Sequence, residues 1–137
     1  MSKYLVNDIE QLHTKMGVNN VIRQLDTEKL RKFMEFRVAF LNEELKETTD
    51  AIAKEDWPEV VDGLIDLVVV ALGTLDAYDV DIIKAWTRVH EANYSKEPGI
   101  KPSRPNPLGL PDMIKPDSWV APTHDDNVGL MSKMTTV

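Results

Sequence analysis

The chain has 137 residues, of which 42% are hydrophobic and 28% are charged, as is typical of one globular domain with a single core. Its net charge of −7 argues against nucleic-acid binding as the main activity, because proteins that bind the phosphate backbone usually carry a basic surface. The absence of cysteine excludes disulfides and cysteine-ligated zinc, so any metal must take oxygen or histidine ligands.

The N-terminal residues contain no apolar segment of signal-peptide length. The most apolar run, LIDLVVVALGTL, is too short to span a membrane and contains an acid. We therefore expect a cytoplasmic protein with no membrane partner.

Two helices are predicted in the first part of the chain. Apolar residues at spacings of three and four predict a helix over residues 4–16, with Gly17 as its stop. The longest periodic segment, residues 25–56, predicts a second helix with Asp26 or Thr27 as N-cap. Its apolar stripe contains Met34, Val38, Leu41, Leu45 and Ile52.

Two further helices follow. Asp56 as N-cap and Pro58 in the first turn predict the start of the third helix, in segment 55–79. Its apolar residues recur at helical rather than strand spacing, and they are Val61, Leu64, Ile65, Val68, Leu72 and Leu75. The fourth helix lies in segment 79–97, and the four together predict an all-α bundle within residues 1–97.

The remaining residues, 98–137, hold seven of the eight prolines and cannot continue a helix. Apolar residues such as Trp119 and Ile114 indicate that part of this extension lies over the helical body or over a neighbouring subunit. We expect the last ten or so residues to be disordered.

Helical geometry places two pairs of acids in register. Glu44 and Glu47 fall in a sector of roughly 80° with Arg37 on the second helix, and Asp62 and Asp66 share one of about 40° on the third. If the two helices pair antiparallel across their short link, the four carboxylates converge. The alternative is a solvated acidic helix edge, which is common for a single Glu-x-x-Glu pair.

A converged cluster needs protons or cations to neutralise it, because like charges repel strongly where water is partly excluded. Carboxylate oxygens without cysteine suit Mg²⁺, or Mn²⁺. The sequence therefore predicts a metal site at Glu44, Glu47, Asp62 and Asp66.

The combination of LNEELKE, DGLIDLVVVALGT and VHEANYSK resembles the MazG-like family of all-α nucleoside triphosphate pyrophosphohydrolases, especially small phage-encoded members. The family pattern is Glu-x-x-Glu, then Glu-x-x-Asp, then Asn-x-x-Lys. The first pair matches Glu44 and Glu47. The second matches Glu59 and Asp62 literally, whereas Asp66 stands where members have their Asp before the apolar run.

We prefer Asp62 and Asp66 as the ligands, because Asp56 and Glu59 have the spacing of a capping box, which gives Glu59 a structural task. Glu59 remains the alternative ligand.

The resemblance implies Mg²⁺-dependent hydrolysis of a (deoxy)nucleoside triphosphate to the monophosphate and pyrophosphate, with Glu44 or Glu47 taking the proton of the attacking water. It implies phosphate binding by Lys96 and Asn93. Arg37 either reaches a phosphate or pairs with a carboxylate.

Two other functions stay open: a phosphoribosyl-ATP pyrophosphohydrolase, which shares the acidic pattern, and a non-catalytic helical interaction module. Family members work as homodimers or homotetramers, and the mostly apolar third helix suits burial in a shared helical core.

Overall fold

The computed structural model describes residues 3–135 and has an all-α fold, which confirms the predicted class. Its helices are α1 (Lys3–Met16), α2 (Val18–Arg23), α3 (Thr27–Ala53), α4 (Trp57–Ala77) and α5 (Ile82–Tyr94). After α5 the chain forms two short strands, β1 (Glu97–Gly99) and β2 (Asp112–Ile114), and a 3-10 helix at Gly129–Met134. Among residues 3–135, no helix has both the length and the apolar character needed to cross a membrane.

Aspartate side chains cap the three helices α3, α4 and α5, and the sequence indicated the caps of the first two. The Asp26 carboxylate accepts a hydrogen bond of 2.9 Å from the Lys29 N–H at the start of α3. Asp56 caps α4 in the same way, with Pro58 in the first turn. Each cap satisfies a backbone donor that the first turn of a helix leaves without a partner.

The short helix α2 was not predicted. Gly17 adopts φ 70°, which ends α1, and the next six residues then form α2 in a new direction. Six residues are too few for a periodic pattern to stand out in the sequence. In the structure this helix packs Ile22 into the core.

The core lies where α3 and α4 meet the start of α5. Tyr78 and Leu30 are both fully buried, and the Tyr78 hydroxyl donates a 2.6 Å hydrogen bond to the Leu30 carbonyl. A second cluster packs α1 against α4 and α5, and its members are Val6, Ile9, Leu72 and Ile82. Together the two clusters fix α3, α4 and α1 relative to each other.

A buried polar contact also joins α1 to α4. His13 Nδ1 lies 2.8 Å from the Asp76 carboxylate, and the Asn19 amide donates to the same carboxylate at 3.1 Å. Buried charged groups are tolerated only when they have such partners. Sequence periodicity gave no indication of this cluster.

The predicted apolar stripes of α3 and α4 are buried only in part. Val38, Leu45 and Ile52 on α3 are about half exposed. On α4, Leu72 is buried, whereas Val61, Leu64, Ile65 and Val68 face solvent in the single chain. Within one chain, α3 and α4 therefore leave much of both predicted stripes uncovered.

The segment after α5 lies over the helical body. We expected disorder over its last ten or so residues, but Gly129–Met134 form a 3-10 helix whose Leu130 N–H donates to the Tyr78 carbonyl at 2.7 Å. Gly129 has φ 55°, and a Cβ there would lie 1.9 Å from the Tyr78 oxygen, so only glycine fits. The expected disorder of residues 136 and 137 lies outside the described residues.

Candidate active site between α3 and α4

The hairpin of α3 and α4 is closed by small residues. A Cβ on Gly63 would lie only 2.2 Å from Thr48 Oγ1, so the two helices approach each other more closely than larger side chains permit. Thr48 is buried there, and its hydroxyl donates to the Glu44 carbonyl at 2.8 Å. Residues equally distant from the link between the helices therefore face each other, as an antiparallel pair requires.

The carboxylates predicted as ligands share one neighbourhood on this hairpin. Partial burial raises the pKa of Glu44 above its ordinary value, and the negative charges of Glu47, Asp66, Glu43 and Asp62 raise it further. Glu44 and Asp66 are partly buried, whereas Glu47 and Asp62 are exposed. The structure thus brings both acidic pairs to the same side of the hairpin.

These side chains offer the right donor atoms for Mg²⁺, because they are carboxylate oxygens at a partly hydrated surface. In the described part of the chain, however, no three acidic or histidine side chains stand close enough together to hold one cation. The donor chemistry fits the metal, and the side chains would have to draw together to bind it.

Arg37 is held by α4 and not by a carboxylate. Its Nε donates to Thr74 Oγ1 and its terminal nitrogen to the Val70 carbonyl, both at 2.9 Å. The guanidinium also lies 5.9 Å from the Phe33 ring centroid and 5.8 Å from that of Phe40. Within residues 3–135 the predicted pairing with a carboxylate is absent.

Burial lowers the pKa of Arg37, which agrees with its position inside the hairpin. A Cβ on Gly73 would lie 2.7 Å from the Arg37 terminal nitrogen, so glycine at this position makes room for the guanidinium. Sequence reasoning did not identify this contact between Arg37 and Gly73.

Glu59 lacks the complete capping role that the sequence suggested. Its N–H donates to the Asp56 carboxylate at 3.3 Å, but the Asp56 N–H donates to the Ala51 carbonyl and not to Glu59. Only half of the capping box is formed. The exposed Glu59 carboxylate does not accept the Asp56 N–H. The reason for preferring Asp66 to Glu59 is weaker than the spacing implied.

Asn93 lies in the last turn of α5 and Lys96 follows its C-cap, Ser95, and within residues 3–135 Lys96 forms no ion pair with these acids. Lys96 Nζ lies 5.1 Å from the ring centroid of Trp119, which belongs to the C-terminal segment. The Trp119 ring is fixed by a 2.7 Å hydrogen bond from its Nε1 to the Ala92 carbonyl. Sequence reasoning singled out Lys96 but missed Trp119 as its neighbour, since the two are far apart in the chain.

Comparison with known families decides between the possible classes. Residues 12–93 match the family model described as phosphoribosyl-ATP pyrophosphohydrolase. The chain belongs to the phosphoribosyl-ATP pyrophosphohydrolase family. The matched range runs from the end of α1 through most of α5, and it contains all four acids and Asn93.

The phosphoribosyl-ATP pyrophosphohydrolase family belongs to the same all-α nucleoside triphosphate pyrophosphatase superfamily as MazG. Membership supports a pyrophosphohydrolase enzyme that acts on a nucleotide, in agreement with the predicted reaction class. No curated protein and no solved structure shows significant similarity to the chain.

Proposed function

We propose that this chain hydrolyses a (deoxy)nucleoside triphosphate between its α- and β-phosphates, giving the nucleoside monophosphate and pyrophosphate. The observation that carries the proposal is the position of Glu44, which is partly buried on the α3–α4 hairpin with Glu47, Asp62 and Asp66 around it. This arrangement lies inside the range that matches a pyrophosphohydrolase family. The finer assignment, a small phage-type MazG-like member, rests on the acidic pairs and on Asn93-x-x-Lys96.

Mg²⁺ is the proposed cofactor, with Mn²⁺ as the alternative, and Glu44, Glu47, Asp62 and Asp66 would hold it. A bound divalent cation neutralises phosphate charge and lowers the pKa of a coordinated water. The repulsion among the four carboxylates favours such an ion, because each of them is easier to keep ionised beside a cation.

Side chains of the protein would accept the proton and bind the phosphates. A water oxygen bonds to phosphorus, the bridging P–O bond to the other phosphate breaks, and Glu44 or Glu47 accepts the proton of the water. Lys96 and Asn93 would bind the phosphates. Arg37 would reach a phosphate only by leaving Thr74 and Val70, so its observed contacts favour a role in holding the hairpin.

A second candidate substrate is phosphoribosyl-ATP, which the family name itself favours. Hydrolysis of this compound breaks the same kind of phosphoanhydride bond and releases pyrophosphate. The two candidates differ in what surrounds the base, and the acids on α3 and α4 act on the phosphates in both cases.

Assembly into a homodimer or homotetramer is part of the proposal. One face of α4 is between 43% and 64% exposed, and its residues are Val61, Leu64, Ile65 and Val68. A continuous apolar stripe of this kind on a helix is typical of a face that another helix covers. A second copy offers the same stripe, so a two-fold axis would cover both at once.

The test is a substrate panel. The full-length chain is incubated with the common ribo- and deoxynucleoside triphosphates and with phosphoribosyl-ATP, and pyrophosphate and orthophosphate are measured separately. We expect pyrophosphate release that requires Mg²⁺ or Mn²⁺ and is lost on chelation.

Glu44→Gln should abolish this release, and Glu43→Gln is the matched control, because it makes the same change on an exposed neighbour outside the proposed ligand set. Release of orthophosphate without pyrophosphate would refute the proposed bond cleavage. Turnover of phosphoribosyl-ATP alone would establish the second candidate instead.

A further inference from the structure

The two lysines that flank the β1–β2 pairing converge on one aromatic ring. The strands are antiparallel with Glu97 opposite Ile114, so Lys96 and Lys115 occupy the next pair of positions outside the ladder. Lys96 Nζ lies 5.1 Å and Lys115 Nζ 5.0 Å from the centroid of Trp119. The two ammonium groups are therefore separated by at most about twice that distance.

Two ammonium groups this close to one ring repel each other unless an anion binds between them. Like charges at opposed positions of neighbouring strands destabilise the pairing. Within residues 3–135 neither lysine forms a direct ion pair. The charge of Lys96 lowers the pKa of Asp112 slightly, and the hydrogen bond from the Met113 N–H is the largest cause of that shift.

The segment that joins the two lysines is slightly basic in an otherwise acidic protein. Residues 96–115 contain four basic and two acidic side chains, whereas the whole chain carries a net charge of −7. Arg104 already pairs with Asp112 at 2.9 Å, which leaves the lysines in excess. A local excess of positive charge attracts small anions even when the protein as a whole repels them.

Trp119 gives this pair of lysines a fixed platform. Its Nε1 bond to the Ala92 carbonyl ties the ring to the end of α5, and its faces attract ammonium groups. Attraction to one ring keeps both ammonium groups near the same position, which lowers the conformational entropy lost when an anion binds.

We propose that Lys96 and Lys115, positioned by Trp119, form a binding site for a phosphate group of the nucleotide. The inference rests on the proposed function and adds to it a residue of the C-terminal segment, Lys115, which lies outside the range matched by the family model. Two ammonium groups suit a doubly charged phosphate, and a nucleic acid would be repelled by the remaining negative charge of the chain.

The experiment measures binding of inorganic pyrophosphate to the full-length chain by calorimetry, without metal, so that it does not depend on turnover. Lys96→Gln and Lys115→Gln keep most of the side-chain stem and remove only the charge. Each should weaken binding by roughly tenfold, as expected for the loss of one charge-assisted hydrogen bond. Lys101→Gln is the matched control, because it lowers the charge of the same segment by one without contacting Trp119.

Two further measurements separate the possible outcomes. Emission of Trp119, read in a Trp57→Phe/Trp86→Phe background, should change on pyrophosphate binding as the ammonium groups move toward the anion. In the turnover assay, Lys115→Gln should raise KM for the nucleotide with little change in kcat, and inorganic orthophosphate should compete more weakly than pyrophosphate.

Equal weakening in Lys101→Gln, or no weakening in the other two variants, would overturn the site and leave the lysines as a latch for the segment. Absence of measurable pyrophosphate binding in the parent chain would also overturn it. Lysine-dependent pyrophosphate binding in a chain that hydrolyses no nucleotide would refute the proposed function and leave the anion site standing.

Discussion

Glu59 and Asp66 are the alternative ligands of the proposed metal site. Asp66 is partly buried and close enough to Glu44 to raise its pKa. Glu59 is exposed in the first turn of α4, and its carboxylate makes no cap bond. Proximity to Glu44 therefore favours Asp66, although the missing cap bond weakens the reason that the capping-box spacing gave for preferring Asp66 to Glu59.

At this scale we predict that Asp62→Asn and Asp66→Asn each lower turnover by about 100-fold, because each would remove a carboxylate that holds the proposed metal. Stability of the metal-free protein should hold or rise, since the repulsion around Glu44 is relieved. Glu59→Gln should stay within a fewfold of the parent chain. The measurement is turnover of one nucleotide at saturating Mg²⁺ for all three variants.

The opposite pattern of activities would change the assignment of the ligands. An inactive Glu59→Gln beside a nearly normal Asp66→Asn would establish the literal Glu59-x-x-Asp62 pair as the ligands. Thermal unfolding of each variant without metal serves as the control for misfolding.

Among the elements, the α3–α4 hairpin sets the distance between the acidic pairs. Thr48 and Gly63 touch between the two helices, one turn from Glu44 on α3 and next to Asp62 on α4. A wider crossing would separate the carboxylates that the site needs together.

We predict that Gly63→Ala destabilises the chain by about 1–2 kcal/mol, because the added Cβ overlaps Thr48 Oγ1. This loss should appear even though alanine is the better helix former by about 1 kcal/mol. Thr48→Ala in the same chain should recover part of it, since the hydroxyl is gone and only the Thr48 Cβ contact of 3.2 Å remains. Urea unfolding of the two single variants and the double variant measures the coupling.

Turnover is measured in the same single and double variants, and we expect the largest loss in Gly63→Ala alone. Thr48→Ala alone is the control for losing the hydroxyl bond to the Glu44 carbonyl. Additive effects in the double variant would contradict the contact as the source of the loss.

For the whole molecule, the exposed apolar stripe of α4 is the feature that a single chain leaves unexplained. Contiguous apolar surface of this kind is unusual on a monomer, and a second copy of the chain is the proposed cover. The assembly would complete a helical core that one chain builds only in part.

We predict that Leu64→Lys converts the assembled protein to monomer, because a buried unpaired charge is costly at an apolar interface. Leu110→Lys is the matched control: the two leucines are 52% and 54% exposed, and Leu110 lies in the C-terminal segment away from α4. Sedimentation equilibrium measures the mass of each variant. A parent chain that is already monomeric would contradict the proposed assembly.

The sequence by itself determined the helical class, the cap at Asp56 and the presence of two acidic pairs, and it narrowed the cap of α3 to Asp26 or Thr27. These features are local: a cap needs one side chain three residues from a backbone donor, and helical spacing alone shows which acids share a face. The family resemblance also led to the correct reaction class, a pyrophosphohydrolase.

Only the tertiary structure decided which faces of the helices meet. Apolar periodicity identified the stripes of α3 and α4, but it could not distinguish burial within one chain from an exposed surface, because both give the same pattern. Part of the contact between α3 and α4 is made by Thr48, Gly63, Gly73 and Arg37, whose spacing carries no hydrophobic signal.

The C-terminal segment shows the same limit over a longer range. Its prolines excluded a helix, yet nothing local indicated that Trp119 would lie against α5 or that Lys96 and Lys115 would flank a strand pair. Contacts between residues so far apart in the chain depend on the three-dimensional path of everything between them. The types of residue at the site were therefore readable from the sequence, whereas their partners were fixed by folding.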